Sequence, residues 1–302
     1  MSDHTHHAGG GMLSYRYQYM SMSDNFKGRD KISDAQMISP TGEGYMVTPI
    51  SMEMHMHMLG GMWAPHDKVT LMLMAPYMIN TMDHLRRDGF IFNTETEGFG
   101  DLRLSALTQV MDLGGHRINL NFGLSAPTGS ITEKGFVPGP GNTQLPYPMQ
   151  LGSGSWGLLP GLSYLGQSGK WSWGTQFLAN LRLDTNSQGY RLGDEYSLSS
   201  WGAYRWSDWI SASLRVVGTT WDDIRGEAKG LMIPPSVIAT ADPSLRGGER
   251  VDVLAGINLY VQEGWLKGHR LALEVGGPVY QDLNGPQLGN QWMMMLGWQK
   301  AW

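Results

Sequence analysis

The chain has 302 residues, a net charge of −5 and only 16% charged residues, so no basic surface for nucleic acid is indicated. It contains no cysteine, which removes disulfides, thiol catalysis and cysteine-ligated zinc or iron–sulfur centres together. The 41 glycines, 12 tryptophans and 12 tyrosines point to many turns and many aromatics, the balance of an all-β chain, and no apolar run reaches the roughly 18 residues of a membrane-crossing helix.

In chain order, residues 1–11 read as a flexible polar tail. The stretch "MSDHTHHAGGGM" has no apolar h-region, so either the protein is not secreted or the chain is a mature form with a start methionine. Without Met1, Ser2-Asp3-His4 would offer an amine, two backbone nitrogens and the His4 imidazole in the square plane that Cu(II) prefers, with His6 and His7 beside it. A polar tail with no ligand is the plainer alternative.

From residue 12 onward, period-two alternation is nearly everywhere. About twelve strands are expected, at 12–22, 49–63, 69–79, 100–111, 117–127, 155–165, 171–185, 195–206, 209–221, 249–262, 269–280 and 291–302. "RINLNFGLSAP" shows the pattern: Ile118, Leu120, Phe122 and Leu124 share one face, and Arg117, Asn119 and Asn121 the other. In a soluble sandwich the polar face would be outside, whereas in a membrane barrel it lines the lumen.

The connections favour the barrel. Long ones (23–48, 80–99, 128–154, 186–194, 222–248, 281–290) alternate with short ones such as "DLGGH", "GQSGK" and "SD". An even strand number puts both termini at the short-turn end. Trp63, Tyr77, Trp171, Trp206, Trp209 and Trp265 sit near strand ends, where aromatic girdles lie. The chain closes on "QWMMMLGWQKAW", an alternating strand ending in the aromatic Trp302, which looks like the signal that outer-membrane assembly machinery reads. The expectation is a single antiparallel transmembrane β-barrel over 12–302, monomeric, in contact with outer-membrane lipid and lipopolysaccharide.

Three stretches, "GFGDLRLSALTQV" (98–110), "LNFGLSAPTGSI" (120–131) and "QLGSGSWGLLPGLSY" (150–164), together with "VYQDLNGPQL" near the C-terminus, resemble the outer-membrane meta-pathway phenol-degradation transporter family. The resemblance implies a barrel and a transport role, and brings no catalytic residues. The Met/His-rich N-terminal third departs from simple members of that family.

The polar faces collect the candidate lumen-lining residues: Arg16, Glu53, His55, His57, Asp101, Arg103, Arg117, Arg182, Asp184, Arg215, Arg250, Asp252 and Glu274. In "SMEMHMHMLGGMW", alternation assigns Met52, Met54, Met56 and Met58 to lipid and Glu53, His55 and His57 to the lumen. In the next strand Met72 and Met74 face inward, so His55, His57, Met72 and Met74 would form a metal-contacting wall, thioether with imidazole suiting Cu(I) and imidazole with carboxylate Cu(II) or Zn(II). Methionine as a flexible apolar filler is the alternative. The chain has no G-x-S-x-G, H-E-x-x-H, P-loop or dinucleotide fingerprint, and no enzyme activity is expected. The functional expectation is passage of a small solute, hydrophobic, aromatic or metal-linked. A non-conducting barrel that binds a ligand, copper or a partner is the alternative.

Overall fold

A computed structural model describes residues 7–302. The chain runs through β1 (Gly11–Gly28), β2 (Asp30–Ile32), a short helix α1 (Asp34–Ile38), β3 (Val47–His66), β4 (Val69–Arg86), β5 (Ile91–Phe99), β6 (Leu102–Asp112) and β7 (His116–Ala126). It continues through β8 (Lys134–Val137), β9 (Gly141–Gln144), β10 (Gly157–Leu158), β11 (Gly161–Ser168), β12 (Trp171–Arg182) and β13 (Tyr190–Arg191). The last elements are β14 (Glu195–Ser207), β15 (Ile210–Trp221), β16 (Arg225–Gly226), β17 (Gly248–Tyr260) and β18 (His269–Ala301).

The strands close into one antiparallel ring, β1–β3–β4–β6–β7–β11–β12–β14–β15–β17–β18 and back to β1. Closure matters because a membrane leaves no water to satisfy a free strand edge. Residues near the two ends of the chain are clasped together: Trp302 N–H donates to Gly11 O at 3.0 Å, and Gly11 N–H returns to Trp302 O at 3.2 Å. β18 pairs with β17 through its first half and with β1 through its second. It doubles back near Asn284–Pro286, where the Gln281 amide bridges to the backbone of Asn290.

Directly paired residues in an antiparallel ladder point to the same side. The outer side carries Leu13, Leu59, Trp63, Leu73, Leu104, Phe122, Leu198, Leu214 and Leu271, all exposed. The inner side carries Met12, Ser14, Met62, Thr70, Ser105, Asn119 and Ser163, all buried. An apolar outside around a partly polar interior is a transmembrane barrel. Trp63, Trp171, Trp206, Trp209 and Trp265 are all exposed, clustered at the short-turn end.

Two expected loops are strand instead. Residues 80–99 form a β4–β5 hairpin standing beyond the wall, turned at "RDGF" with Gly89 at φ +86° and Phe90 N–H donating to Asp88 Oδ1. Residues 281–290 stay within the β18 ladder.

The remaining long loops interlock over one end. Leu145 and Met149, from the loop after β9, reach onto the inward Met52 and Met82. Tyr147, Tyr190 and Ile224 join three loops in a second cluster, and Ile233, Ile238 and Ala241 form a third. Two arginines staple this cap. Arg87 donates to the carbonyls of Ile38, Gly44 and Tyr45, and Arg246 to Pro286 O at the β18 reversal.

Candidate functional site

The ladder register around "SMEMHMHMLGGMW" decides which groups face the lumen. Tyr15, Tyr17 and Tyr19 of β1 stand directly opposite Leu59, His57 and His55 of β3, and Ser21 opposite Glu53. Leu13 and Leu59 on this face are exposed, so the face is the outer one. Glu53, His55 and His57 therefore point out of the barrel, and Met52, Met54, Met56 and Met58 point in, the reverse of the assignment from alternation. Period two defines two faces but does not say which is wet. Counting methionine as lipid-facing and imidazole as lumenal inverted the strand.

The outward imidazoles are satisfied locally. Tyr15 Oη lies 2.8 Å from His57 Nδ1, Tyr17 Oη lies 2.7 Å from His55 Nδ1, and Tyr19 donates to Glu53 at 3.0 Å. On the same outer surface His116 meets Tyr164 Oη at 2.8 Å, and Trp298 Nε1–H donates to His269 at 3.0 Å. The proposed set His55, His57, Met72 and Met74 is split by the wall, since Met72 and Met74 pair with the inward Met62 and Gly60. These four cannot share an ion. His4 lies outside the described residues.

What the register assembles inside is a methionine wall. Met12, Met20 and Met22 of β1, Met52, Met54, Met56, Met58 and Met62 of β3, Met72, Met74, Met78 and Met82 of β4, and Met293 and Met295 of β18 all share the inward face. Gln18 donates to the Met20 sulfur at 3.3 Å.

The opposite wall is polar. Arg215 of β15 pairs with Glu274 of β18 across the intervening β17. The pair spans β17 at Gly256, where a Cβ would come within 2.7 Å of the Ser213 hydroxyl and 2.8 Å of Glu274 Cγ. Arg250 is held by Asp252 at 2.8 Å, and Arg270 donates to Asn258 at 2.9 Å. A cavity of about 360 Å³ lies between this wall and Arg16 and Met295, and a second of about 470 Å³ opens at the short-turn end.

The other candidate residues divide by height. Arg103 faces inward opposite Met74, and Arg117 pairs with Asp112 at 3.3 Å near the short-turn end. Asp101, Arg182 and Asp184 sit at the cap, where they organise backbone. Asp101 accepts from Gly129 N–H and from Ser153, Arg182 O accepts from Arg191, and Asp184 accepts from Trp156 N–H. Among the described residues, no group of three or more His, Asp or Glu is placed to hold a metal ion.

Residues 39–230 match the family model described as "Putative MetA-pathway of phenol degradation", well over half of the chain. The chain belongs to that family. For this family member the fold likeness extends over the full length. An outer-membrane channel from Pseudomonas putida F1 superposes with a TM-score of 0.64 at 14% identity, covering 98% of this chain and 96% of the other. The P. putida toluene transporter TodX gives 0.49 at 8% identity, covering 97% and 90%. No curated protein matches the chain. The barrel is an outer-membrane one.

Neither the cap residues Leu145, Met149 and Tyr190 nor Trp201, which packs over Gly174, was singled out in the sequence. The "LPYPM" run, Leu145–Met149, carried the one available signal: two prolines rigidify a short segment rich in large apolar groups.

Proposed function

We propose that this barrel is a narrow, gated outer-membrane channel for a small, weakly polar solute. It counts as twelve strand passes, the two halves of β18 being taken separately, with the short turns periplasmic and the cap external. A barrel of that size falls between eight strands, which side chains fill, and sixteen, which leave an open water channel. The observation that carries the reading is the two-sided lumen: a thioether wall offers soft, deformable apolar contact, and a facing wall of paired charges offers a wet path. The family's printed description supports an aromatic solute, and the methionines support a metal-linked one. Partners in this reading are lipopolysaccharide, outer-membrane lipid and the barrel-assembly machinery, the last engaged through the C-terminal strand.

The cap favours one competing reading, a sealed barrel that holds a ligand, because Leu145 and Met149 pack onto the wall beneath the loops. Planar-bilayer conductance separates the two. Intact protein gives small or flickering steps under the channel reading, and replacing residues 134–149 by a short glycine–serine linker raises the step several-fold. Silence in both forms excludes a channel.

A further inference from the structure

We infer that the solute class is a soft monovalent metal ion, Cu(I) or Ag(I), held by rows of lumenal thioethers; this rests on the channel reading for transit, though not for binding. The rows follow from register. Met293, Met20 and Met54 stand side by side on β18, β1 and β3, and Met12, Met62 and Met72 on β1, β3 and β4. Adjacent strands are about 4.8 Å apart, and methionine has three rotatable bonds before its sulfur. Three thioethers in one row can therefore converge on a single ion. Thioether sulfur selects Cu(I) over harder divalent ions.

Filler does not explain the distribution. Were methionine only a convenient apolar group, the lipid side of the same strands would use it too. There the large residues are Leu, Tyr, Trp, Ile, Val and His, beside Glu53 and smaller side chains, with Met294 the single methionine on that side of β1, β3, β4 and the second half of β18. The segregation runs by face and by sector, since among the described residues β7, β11, β12, β14, β15 and β17 contain no methionine at all. Nor does the inward face of the methionine sector carry a carboxylate among the described residues, so a hard cation finds no oxygen cage there. The fixed charges there, Arg16 within the sector and Arg103 opposite Met74 at its edge, oppose a divalent ion more strongly than a monovalent one. The Gln18–Met20 contact shows one of these sulfurs available as an acceptor towards the lumen. Rows above and below Met20 supply further thioethers, so an ion released by one row meets another within a residue or two of strand.

The experiment is titration of the full-length, detergent-solubilised protein with Ag(I), and with Cu(I) under a reductant against a chromogenic chelator. Met20→Leu/Met54→Leu/Met293→Leu is volume-conserving and keeps the wall filled, and Met294→Leu is the outward control. Heat-modifiable gel mobility reports that each variant has folded. The expected result is saturable Ag(I) and Cu(I) binding, at least tenfold weaker in the triple variant, unchanged in M294L, with no Zn(II) binding. Unchanged affinity in the folded triple variant, or equal loss in M294L, overturns the assignment. Silver flux and potassium conductance in proteoliposomes decide the other question. Binding lost in the triple variant without flux in any form sinks the channel reading alone.

Discussion

At the scale of single residues, the outer surface departs from a plain lipid-facing surface. Imidazoles and a carboxylate stand at Glu53, His55 and His57, where hydrocarbon gives no hydrogen bonds. The tyrosines of β1 supply them, with Tyr17 Oη and His55 Nδ1 at 2.7 Å. Tyr17→Phe removes that partner and keeps the ring. It should cost about 1–3 kcal/mol of unfolding free energy in lipid vesicles, the range for a polar group stranded away from water. The same substitution at Tyr204, whose ring packs on Trp171 and whose hydroxyl has no hydrogen bond to a His, should cost less. Equal costs at the two positions would refute the pairing argument. These pairs also explain why single-strand reading inverted β3. A histidine is a lumen residue only when nothing outside can satisfy it, and the satisfying hydroxyls lie some forty residues earlier in the chain, at Tyr15 and Tyr17.

At the scale of elements, the cap is where titration and packing meet. Tyr190 is buried against Tyr147, the two rings edge to face at 5.0 Å, and burial pushes its phenol up to about 12. A phenol raised in the folded state contributes stability that is fully present below its ordinary value of about 10 and is lost as pH rises through 12. The cap should therefore loosen between about pH 10 and 12, by roughly 3 kcal/mol for this group. Tyr190→Phe should abolish most of that alkaline phase, read by limited proteolysis of the 128–156 loop. A wild type with equal cleavage at pH 9 and pH 11.5 would contradict it. Most wall strands were legible because each alternates against a fixed outside, but the extensions of β1 and β4 beyond the wall and the β5 arm of the hairpin were not. The cap was not, because its order comes from small apolar clusters and two partly buried staples, Arg87 and Arg246, joining segments far apart in sequence.

At the scale of the whole molecule, ring closure sets two different walls face to face. The charged wall is tuned by pairs, and Arg215–Glu274 spans a strand only because Gly256 leaves the space. Glu274→Gln frees the arginine charge in the lumen. The expected outcome is a reversal potential shifted towards anions in a salt gradient, with thermal stability little changed, since the groups remain partly hydrated. Gly256→Leu should act in the same direction by displacing Glu274. An unchanged reversal potential in both variants would place the pair outside the conducting path.

The sequence by itself determined the architecture: an antiparallel outer-membrane barrel, the course of most of its wall strands, its aromatic rim and its family. These depend on local periodicity and turn chemistry, and each strand repeats the evidence. Only the tertiary structure decided which side of each strand is inside and what the interior is made of. A one-residue choice of face leaves the alternation unchanged while exchanging every side chain. Pairing Tyr17 with His57 therefore turned the methionines of β3 inward, beside those of β1, β4 and β18, and left the histidines to the membrane.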